Sequence, residues 1–263
     1  MLQQVDGRQR TRDKLPTFST FDDWWYPVRL SCEQCSSEHT ARYKASLLQP
    51  SIHTDTTFID LTGGYGVDSF FISEHFQQAH YVEQNPELCR IATHNFSTHR
   101  PHLQVHNATA EQFLNELFTP AEQTTIFIDP ARRNHSGGKV FLLHDCEPNV
   151  IDLLPLMLSK AQHILIKLSP MLDITAALKS LPAPFEVHVL ALQGEVKEVL
   201  LHTYPNCQNG LIHAVNILSS EQEQVFSFSI HEEQHATSQL SGVPGEARGF
   251  VGCSSTLVHE LCE

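Results

Sequence analysis

The chain has 263 residues, of which 41% are hydrophobic, and a formal net charge of −13 at neutral pH. A chain of this length and hydrophobic content can bury one large core, which predicts one main domain with an appendage. The negative charge excludes a broad basic surface of the kind that binds nucleic-acid phosphates without sequence preference.

The positive charges are concentrated in residues 1–50, which hold seven Lys/Arg against six Asp/Glu, so any basic surface is local. No run of about 18 apolar residues occurs, and the basic N-terminus lacks the apolar segment of a secretory signal. We therefore expect a cytoplasmic protein that does not enter a membrane. The odd number of cysteines, seven, fits reduced thiols better than a disulfide framework.

Seventeen histidines raise the question of a metal site. Zinc sites in proteins use ligands at short, defined spacings, and these histidines are dispersed along the chain. Cys32 and Cys35 with His39 come nearest to such a pattern, but a second ligand pair is missing. We predict no metal site, with small side chains packing on one helix face instead.

From about residue 57, short β-branched runs alternate with helical segments, a pattern typical of parallel strands joined by crossover helices. Strands are predicted at 58–61, 80–83, 103–106, 125–129 and 163–168. The intervening helices are predicted to begin near Val67, with Asp68 as a cap, and to cover 86–95, 110–118, 148–160 and 174–181.

Residues 185–192 and 196–204 are two further predicted strands, and the three residues between them are too few for a crossover. They must therefore pair as an antiparallel hairpin. Five alternating units followed by such a hairpin match the α/β, Rossmann-like plan of class I methyltransferases, a seven-stranded, mostly parallel sheet with one antiparallel strand and helices on both faces. Residues 211–218 and 224–230 can form two more strands.

The first predicted strand ends at Asp60 and runs through Thr62 into a turn containing Gly63, Gly64 and Gly66. Glycines let the backbone approach a ligand closely. The pattern nearly fits a dinucleotide motif, but dinucleotide enzymes usually have an apolar residue in place of Asp60. An acid there favours S-adenosylmethionine, whose ammonium group it can receive indirectly or through water. Its alternative role is a turn or helix-capping acid.

The second strand ends at Glu83, followed by Gln84, where a carboxylate can accept hydrogen bonds from both ribose hydroxyls. NAD enzymes share this feature, so it indicates a nucleoside without deciding which one. After the third strand, Asn107 or Thr109 can contact an adenine amino group with a neutral oxygen. A plain turn is the alternative for both residues.

The fourth strand ends in Asp129-Pro130-Ala131-Arg132. In amino-methylating enzymes, an Asp or Asn followed by Pro-Pro-aromatic holds the acceptor nitrogen towards the methyl group, and orientation does most of the catalytic work. Here Ala131-Arg132 replaces Pro-aromatic, so a stacking platform for a flat base is missing locally. We therefore predict Asp129, Pro130 and Arg132 as catalytic residues.

Arg133 and Lys167 are candidate substrate residues beside this motif. For Arg132 and Arg133, the alternative is a surface ion pair with Asp145 or Glu147. For Lys167, the alternative is a solvated lysine at the end of its strand. A buried structural role is predicted for Cys146.

Six stretches together resemble the bacterial THUMP-like-domain class I methyltransferases and, more distantly, cap guanosine N2-methyltransferases. They are LSCEQCSSEHTARYKASL (30–47), DLTGGYGVDSFF (60–71), YVEQNPELC (81–89), IFIDPARR (126–133), KVFLLHDCEPNV (139–150) and LIKLSPMLDI (165–174).

The resemblance implies that Asp60, Gly64, Gly66 and Glu83 hold S-adenosylmethionine and that the motif at 129–132 faces the acceptor. It also implies that residues 34–44 pack over the cofactor as a lid. The domains expected are an N-terminal arm and helical lid segment (1–50), the cofactor-binding domain (51–205) and a partial, truncated THUMP-like or β region (206–263). Thr109 stands where family members tend to carry Asp.

These features predict an S-adenosylmethionine-dependent methyltransferase that acts on RNA, with a base amino nitrogen as acceptor, because THUMP domains generally bind RNA. Two alternatives remain open: methylation of a small molecule or protein, and cofactor binding without activity. A NAD-dependent reductase is the fourth hypothesis. The sequence leaves the oligomeric state undetermined.

Overall fold

The structure, a computed structural model, describes residues 2–49, 56–132, 143–220 and 222–235. The strands are β1 Thr57–Asp60, β2 Gln78–Glu83, β3 Leu103–Asn107, β4 Thr124–Ile128, β5 Ala131–Arg132, β6 Cys146–Glu147, β7 His163–Leu168, β8 Glu186–Leu192, β9 Glu195–Thr203, β10 Leu211–Ser219 and β11 Gln222–Ser229. The α-helices are α1 Leu2–Thr11, α2 Pro16–Ser19, α3 Arg29–Gln34, α4 Glu38–Leu48, α5 Val67–Ile72, α6 Pro86–His99, α7 Ala110–Glu116, α8 Val150–Lys160, α9 Ile174–Ser180 and α10 Ile230–His235. Short 3₁₀ turns occupy Ser73–His75, Ala121–Gln123 and Leu143–Asp145.

Nine strands form the main sheet, in the order β11-β10-β8-β9-β7-β4-β1-β2-β3, and β5 pairs separately with β6. The predicted hairpin is confirmed, because β9 runs antiparallel to both β8 and β7. The prediction of seven strands with one reversed strand is wrong. β10 adds to the sheet parallel to β8, and β11 adds antiparallel to β10, so two of the nine strands are reversed.

The strand order reverses direction between β1 and β4. From β1 the chain builds outward through β2 and β3, whereas β4 returns to the other side of β1 and leads to β7. The connections on the two sides diverge at this point and leave a crevice at the carboxyl ends of the strands, where open α/β sheets bind ligands.

Two hydrophobic clusters cover the two faces of the sheet. Ile59, like Ile126 and Ile164, packs towards α7, α8 and α9. The adjacent Phe58, like Phe127, packs on the other face with the N-terminal helices, α5 and α6. Alternation along a strand sends neighbouring side chains to opposite faces, and burial of both faces explains why β1 and β4 are apolar over most of their length.

The predicted helix start at Pro86 is confirmed, and α7 also begins at a side-chain cap. Asn85 caps α6, with Pro86 in the first turn, and Thr109 forms a capping box with Gln112 at the start of α7. The prediction that Asp68 caps α5 is wrong. α5 begins after Gly66, which is in the left-handed conformation, and the Asp68 side chain is buried against Ser36 and Lys44.

Within the described part of the chain, none of the helices combines the length and the apolar character that a membrane crossing requires.

Candidate functional site

A cavity of about 1270 Å³ lies at the carboxyl ends of β1, β2, β4 and β7. Its lining contains eleven of the residues predicted for cofactor or acceptor binding: Asp60, Thr62, Gly63, Gly64, Gly66, Glu83, Gln84, Thr109, Asp129, Pro130 and Lys167. The three strand tips that carry Asp60, Glu83 and Asp129 therefore meet at one cavity.

The other predicted residues have different positions. The Asn107 side-chain amide lies beside the cavity and donates hydrogen bonds to the backbone carbonyls of Glu83 (2.9 Å) and Gln84 (3.0 Å). It thus holds the loop after β2 instead of lining the site. The backbone of Arg132 pairs with Cys146 in the β5–β6 ladder. Arg133 lies outside the described residues.

The turn after β1 depends on its glycines. Gly64 and Gly66 have φ of +55° and +85°, in the left-handed region. A Cβ atom on Gly63 would lie 2.1 Å from Cε2 of Tyr81, whose hydroxyl donates a 2.6 Å hydrogen bond to the Gly64 carbonyl. These contacts bring the backbone of the turn to the cavity surface.

Gly66→Ala is expected to lower the free energy of unfolding by about 2–5 kcal/mol, since the left-handed conformation costs about 1–2 and overpacking about 1–3 kcal/mol. The new Cβ would lie 2.6 Å from Cζ of the buried Phe96 ring. Gly194→Ala is the matched control, because Gly194 has a φ of +87° but its new Cβ would have no atom within 4 Å. Urea unfolding of both variants measures the difference, and equal losses would refute the role of the Phe96 contact.

Asp60 is 1% exposed at the end of β1. Its carboxylate accepts hydrogen bonds from the Thr62 amide, at 3.0 Å, and from the Ser69 hydroxyl. Burial raises the pKa of Asp60 to about 7, although these hydrogen bonds act in the opposite direction. The residue is therefore poised to change charge near neutral pH.

Glu83 connects the tip of β2 to the glycine turn. One carboxylate oxygen accepts the Gly64 amide proton at 2.9 Å, and the other accepts the Asn85 amide proton at 2.7 Å. A carboxylate offers about four acceptor positions. Both oxygens therefore keep capacity for ligand hydroxyl groups.

Thr109 both caps a helix and lines the cavity, and its contact with adenine stays a prediction. Its hydroxyl oxygen accepts the Gln112 amide proton at 3.2 Å, which caps α7, and the residue also lines the cavity. The hydroxyl proton remains available for donation.

Asp129 and Lys167 form an ion pair between the tips of β4 and β7. The Asp129 amide also donates to the Thr62 hydroxyl at 2.6 Å, which joins the acceptor motif to the glycine turn. Burial alone would lower the pKa of Lys167, but the negative charges of Asp129, Glu198 and Asp68 raise it. Lys167 is thus a charged partner of Asp129, not a solvated strand-end lysine.

A buried charge network connects the predicted lid segment to α5 and to the sheet, and sequence reasoning missed it. Lys44 from α4 is fully buried and contacts Glu198 at 2.6 Å, Asp68 at 3.0 Å and the Ser36 hydroxyl at 2.9 Å. Burial raises the pKa of Glu198, and the positive charge of Lys44 opposes this rise. Asp68 and Glu198 also face the cavity, so the network joins α4, α5 and β9 at its wall.

The lining carries many more carboxylates than ammonium groups. The described acids are Asp60, Asp68, Glu83, Glu111, Asp129, Glu147, Asp152 and Glu198, and the bases are Lys167 and Lys197. A cavity with this balance favours a cationic ligand over an anionic one.

Three residues of the predicted lid also line the cavity, Gln34, Cys35 and Ser36, as does Ser31 just before it. Cys32 and Cys35 are free thiols that donate to backbone carbonyls, at 3.7 Å to Pro27 and 3.2 Å to Cys32. Burial raises the pKa of Cys32 to about 12, so its thiol is protonated at neutral pH. Cys146 is fully buried in the core, in agreement with its predicted structural role.

No protein-family model matches the chain, and no curated protein matches it either. Among solved structures, the chain is similar to a "putative methyltransferase from Porphyromonas gingivalis W83", with a TM-score of 0.77 and 34% identity. That match covers 90% of this chain and 58% of the other, so the chain spans less than two thirds of the length of its relative. A type I restriction-modification methyltransferase subunit from Streptococcus thermophilus shares the fold, with a TM-score of 0.51, 13% identity and coverage of 69% and 46%.

These likenesses show a Rossmann-like methyltransferase fold, the fold of S-adenosylmethionine-dependent class I enzymes. The predicted fold class is thereby confirmed, apart from the strand count. The resemblance to THUMP-like enzymes in particular stays a prediction.

Proposed function

We propose that this protein is an S-adenosylmethionine-dependent methyltransferase and that its acceptor is an amino nitrogen of an RNA base. The observation that carries the proposal is the meeting of Asp60, Glu83 and Asp129 around one acid-lined cavity behind a glycine turn. S-adenosylmethionine carries a sulfonium and an ammonium group, and both match the negative lining.

The same lining argues against a dinucleotide. The pyrophosphate of NAD would face Asp60, Asp68 and Glu83 across the turn, where like charges repel. Glu83 suits the ribose of either cofactor, so the surrounding charge favours the sulfonium nucleoside. Stabilisation by S-adenosylhomocysteine but not by NADH is the expected result of a thermal-shift comparison.

Different residues of the cavity bind different parts of the cofactor. Glu83 accepts the ribose hydroxyl protons beside the Gly64 and Asn85 amides, and Asp60 attracts the ammonium group through Thr62, Ser69 or water. Thr109 can donate its hydroxyl proton to an adenine nitrogen. When bound, the cofactor supplies an activated methyl group on its sulfonium.

Asp129 and Pro130 stand at the acceptor side. The Asp129 carboxylate can accept an N–H proton from the amine, and the Pro130 carbonyl can accept a second, which directs the nitrogen lone pair away from them. The ion pair with Lys167 fixes the Asp129 carboxylate in place. Orientation of this kind is the main contribution that a protein makes to such a transfer.

RNA is favoured by the Asp-Pro motif and by the sequence resemblance to THUMP-like enzymes. The acid-lined cavity does not attract phosphates, so an RNA backbone would have to bind outside it, for example on the N-terminal region that holds seven Lys/Arg. The cavity charge favours a second candidate, methylation of a cationic small molecule or protein side chain.

Methyl transfer from labelled cofactor to RNA from a strain that lacks the gene tests the proposal. The expected result is label that ribonuclease removes and that nucleoside analysis places on a base. Ribonuclease-resistant label would support the second candidate. Calorimetric binding of S-adenosylhomocysteine without label in any RNA, protein or small-molecule pool would support cofactor binding without activity.

Cofactor affinity is expected to depend on pH through Asp60. Because its pKa is raised to about 7, the carboxyl is ionised above pH 7 and becomes neutral as the pH falls. Loss of the negative charge weakens attraction to the ammonium group, so affinity for S-adenosylhomocysteine should fall by up to about fivefold between pH 7 and pH 6, as the ionised fraction of Asp60 does. Calorimetry should show this slope in the wild type and not in Asp60→Asn. Parallel pH profiles for the two proteins would contradict the assignment.

A further inference from the structure

A cluster of histidines and one acid lies on the sheet away from the cavity. Glu186 and His188 are on β8 and His213 is on β10, and none of the three lines the cavity. One possible ligand atom from each side chain lies within 4.8 Å of the other two. The histidines are dispersed in the sequence, but the sheet brings these residues together.

The strand register explains the convergence. His188 is directly opposite His213 in the parallel β8–β10 ladder, and Glu186 is two residues before His188, on the same face. β8 runs antiparallel to β9 and therefore parallel to β7, and both Glu186 and His188 lie near its amino end. The cavity lies at the carboxyl ends of the strands, so the cluster is separate from the proposed cofactor and acceptor sites.

Each of the three side chains is held by a second group that leaves one donor atom for a ligand. Nδ1 of His188 contacts the Tyr43 hydroxyl at 2.9 Å, and Nδ1 of His213 contacts the Ser227 hydroxyl at 2.7 Å. One oxygen of Glu186 accepts from the Tyr204 hydroxyl at 2.7 Å and from the Gln208 amide at 3.0 Å. Metal-binding histidines and carboxylates are typically oriented by such partners.

The remaining atoms are the second ring nitrogens and the second carboxylate oxygen. Nε2 of His188 has no hydrogen-bond partner although the residue is only 5% exposed, and a buried polar atom without a partner is costly. Nε2 of His213 lies 3.7 Å from the free oxygen of Glu186. Burial lowers the pKa of His188 to about 4, which keeps this ring in the neutral form that binds metals.

We propose that Glu186, His188 and His213 form a binding site for a divalent first-row transition metal ion, with Zn²⁺ as the best match. Two imidazoles and one carboxylate suit Zn²⁺ and leave a fourth tetrahedral position for water. Tetrahedral Zn²⁺ at its usual bond lengths sets ligand atoms about 3.3 Å apart. The three ligand atoms now lie within 4.8 Å of one another, so metal binding requires side-chain rotations that bring them closer.

The bound ion would fasten β10 to β8. His213 is partly exposed, with 20% of its side-chain surface accessible, which gives the ion a path from solvent. Binding of the ion to the folded protein should raise the thermal stability of the full chain.

Calorimetric titration of the full, tag-free and chelator-treated chain with Zn²⁺ tests the proposal. The expected result is one ion per chain, with binding at least about tenfold weaker in His213→Gln and His188→Gln and about tenfold weaker in Tyr43→Phe, which removes an orienting partner. His75→Gln, at an exposed histidine, is the matched control and should bind like the wild type.

A second measurement separates this site from the thiols of Cys32 and Cys35. Co²⁺ bound at the proposed site should give visible bands without a thiolate charge-transfer band, and Cys32→Ser should bind Zn²⁺ normally. His213→Gln retains a partly exposed polar side chain, so its circular dichroism should match the wild type and keep the comparison valid. Absence of binding by the wild type, undiminished binding by folded His213→Gln, or loss of binding in Cys32→Ser would overturn the proposal.

Discussion

Lys44→Met is expected to lower the free energy of unfolding by about 3–5 kcal/mol, the usual cost of removing one partner from a buried ion pair. Lys44 is fully buried between Glu198 and Asp68, which are 3% and 8% exposed. Methionine fills a similar volume but leaves both carboxylates without a positive partner in α4. Urea unfolding at pH 8 measures the loss.

The loss in Lys44→Met should shrink as the pH falls. Without Lys44, the raised pKa of Glu198 rises further, so the folded variant takes up a proton that the unfolded chain does not bind, and lower pH favours folding of the variant. Lys197→Met is the control, because the Lys197 side chain is 38% exposed and its ion pair with Glu195 should contribute less than about 1 kcal/mol. A loss in Lys44→Met no greater than in this control would show that the network does not stabilise the fold.

Asp129→Asn is expected to reduce the rate of methyl transfer by about 100-fold, the loss that follows from a misplaced reacting group. Asparagine keeps the shape of the side chain but weakens its hold on the acceptor amine and on Lys167. Affinity for S-adenosylhomocysteine should stay within about threefold of the wild type, because Asp60 and Glu83 are unchanged. Single-turnover transfer of labelled methyl and calorimetry measure the two quantities.

Asp173→Asn is the matched control for this substitution. Asp173 caps α9 through a 2.9 Å hydrogen bond from the Ala176 amide and does not line the cavity, and asparagine caps equally well. Equal rates in Asp129→Asn and the wild type would remove Asp129 from the acceptor site. A rate loss accompanied by an equal loss of cofactor affinity would move its role to cofactor binding.

Local sequence signals were sufficient for most of the central sheet. The predicted strand at 163–168 matches β7, and the three-residue connection at 193–195 predicted the hairpin of β8 and β9. The strands at β10 and β11 were also anticipated as elements. The pairing of β10 and β11 with the main sheet was not predicted, because strand propensity does not identify which neighbour a strand will pair with.

The tips of parallel strands meet at one edge of a sheet, so Asp60, Glu83 and Asp129 could be assigned to one cavity from their positions alone. The contacts between side chains depend on long-range packing, so they could not be predicted from sequence positions. Lys44 contacts Glu198 across 154 positions of sequence, and the ion pair of Asp129 with Lys167 spans 38. Neither sequence separation matches a helix or strand period, so no local pattern indicates these pairs. The cluster of Glu186, His188 and His213 escaped notice for the same reason.

The placement of β10 also affects how the chain can be shortened. In a seven-stranded sheet β8 would be the outermost strand, with one row of backbone donors and acceptors unpaired. Here β10 pairs with β8 from Ile212 to Ile217. A fragment ending at the hairpin would expose β8 as an edge strand with apolar Val187 and Val189, and exposed edge strands pair with other chains. β10 and β11 therefore protect the sheet against self-association.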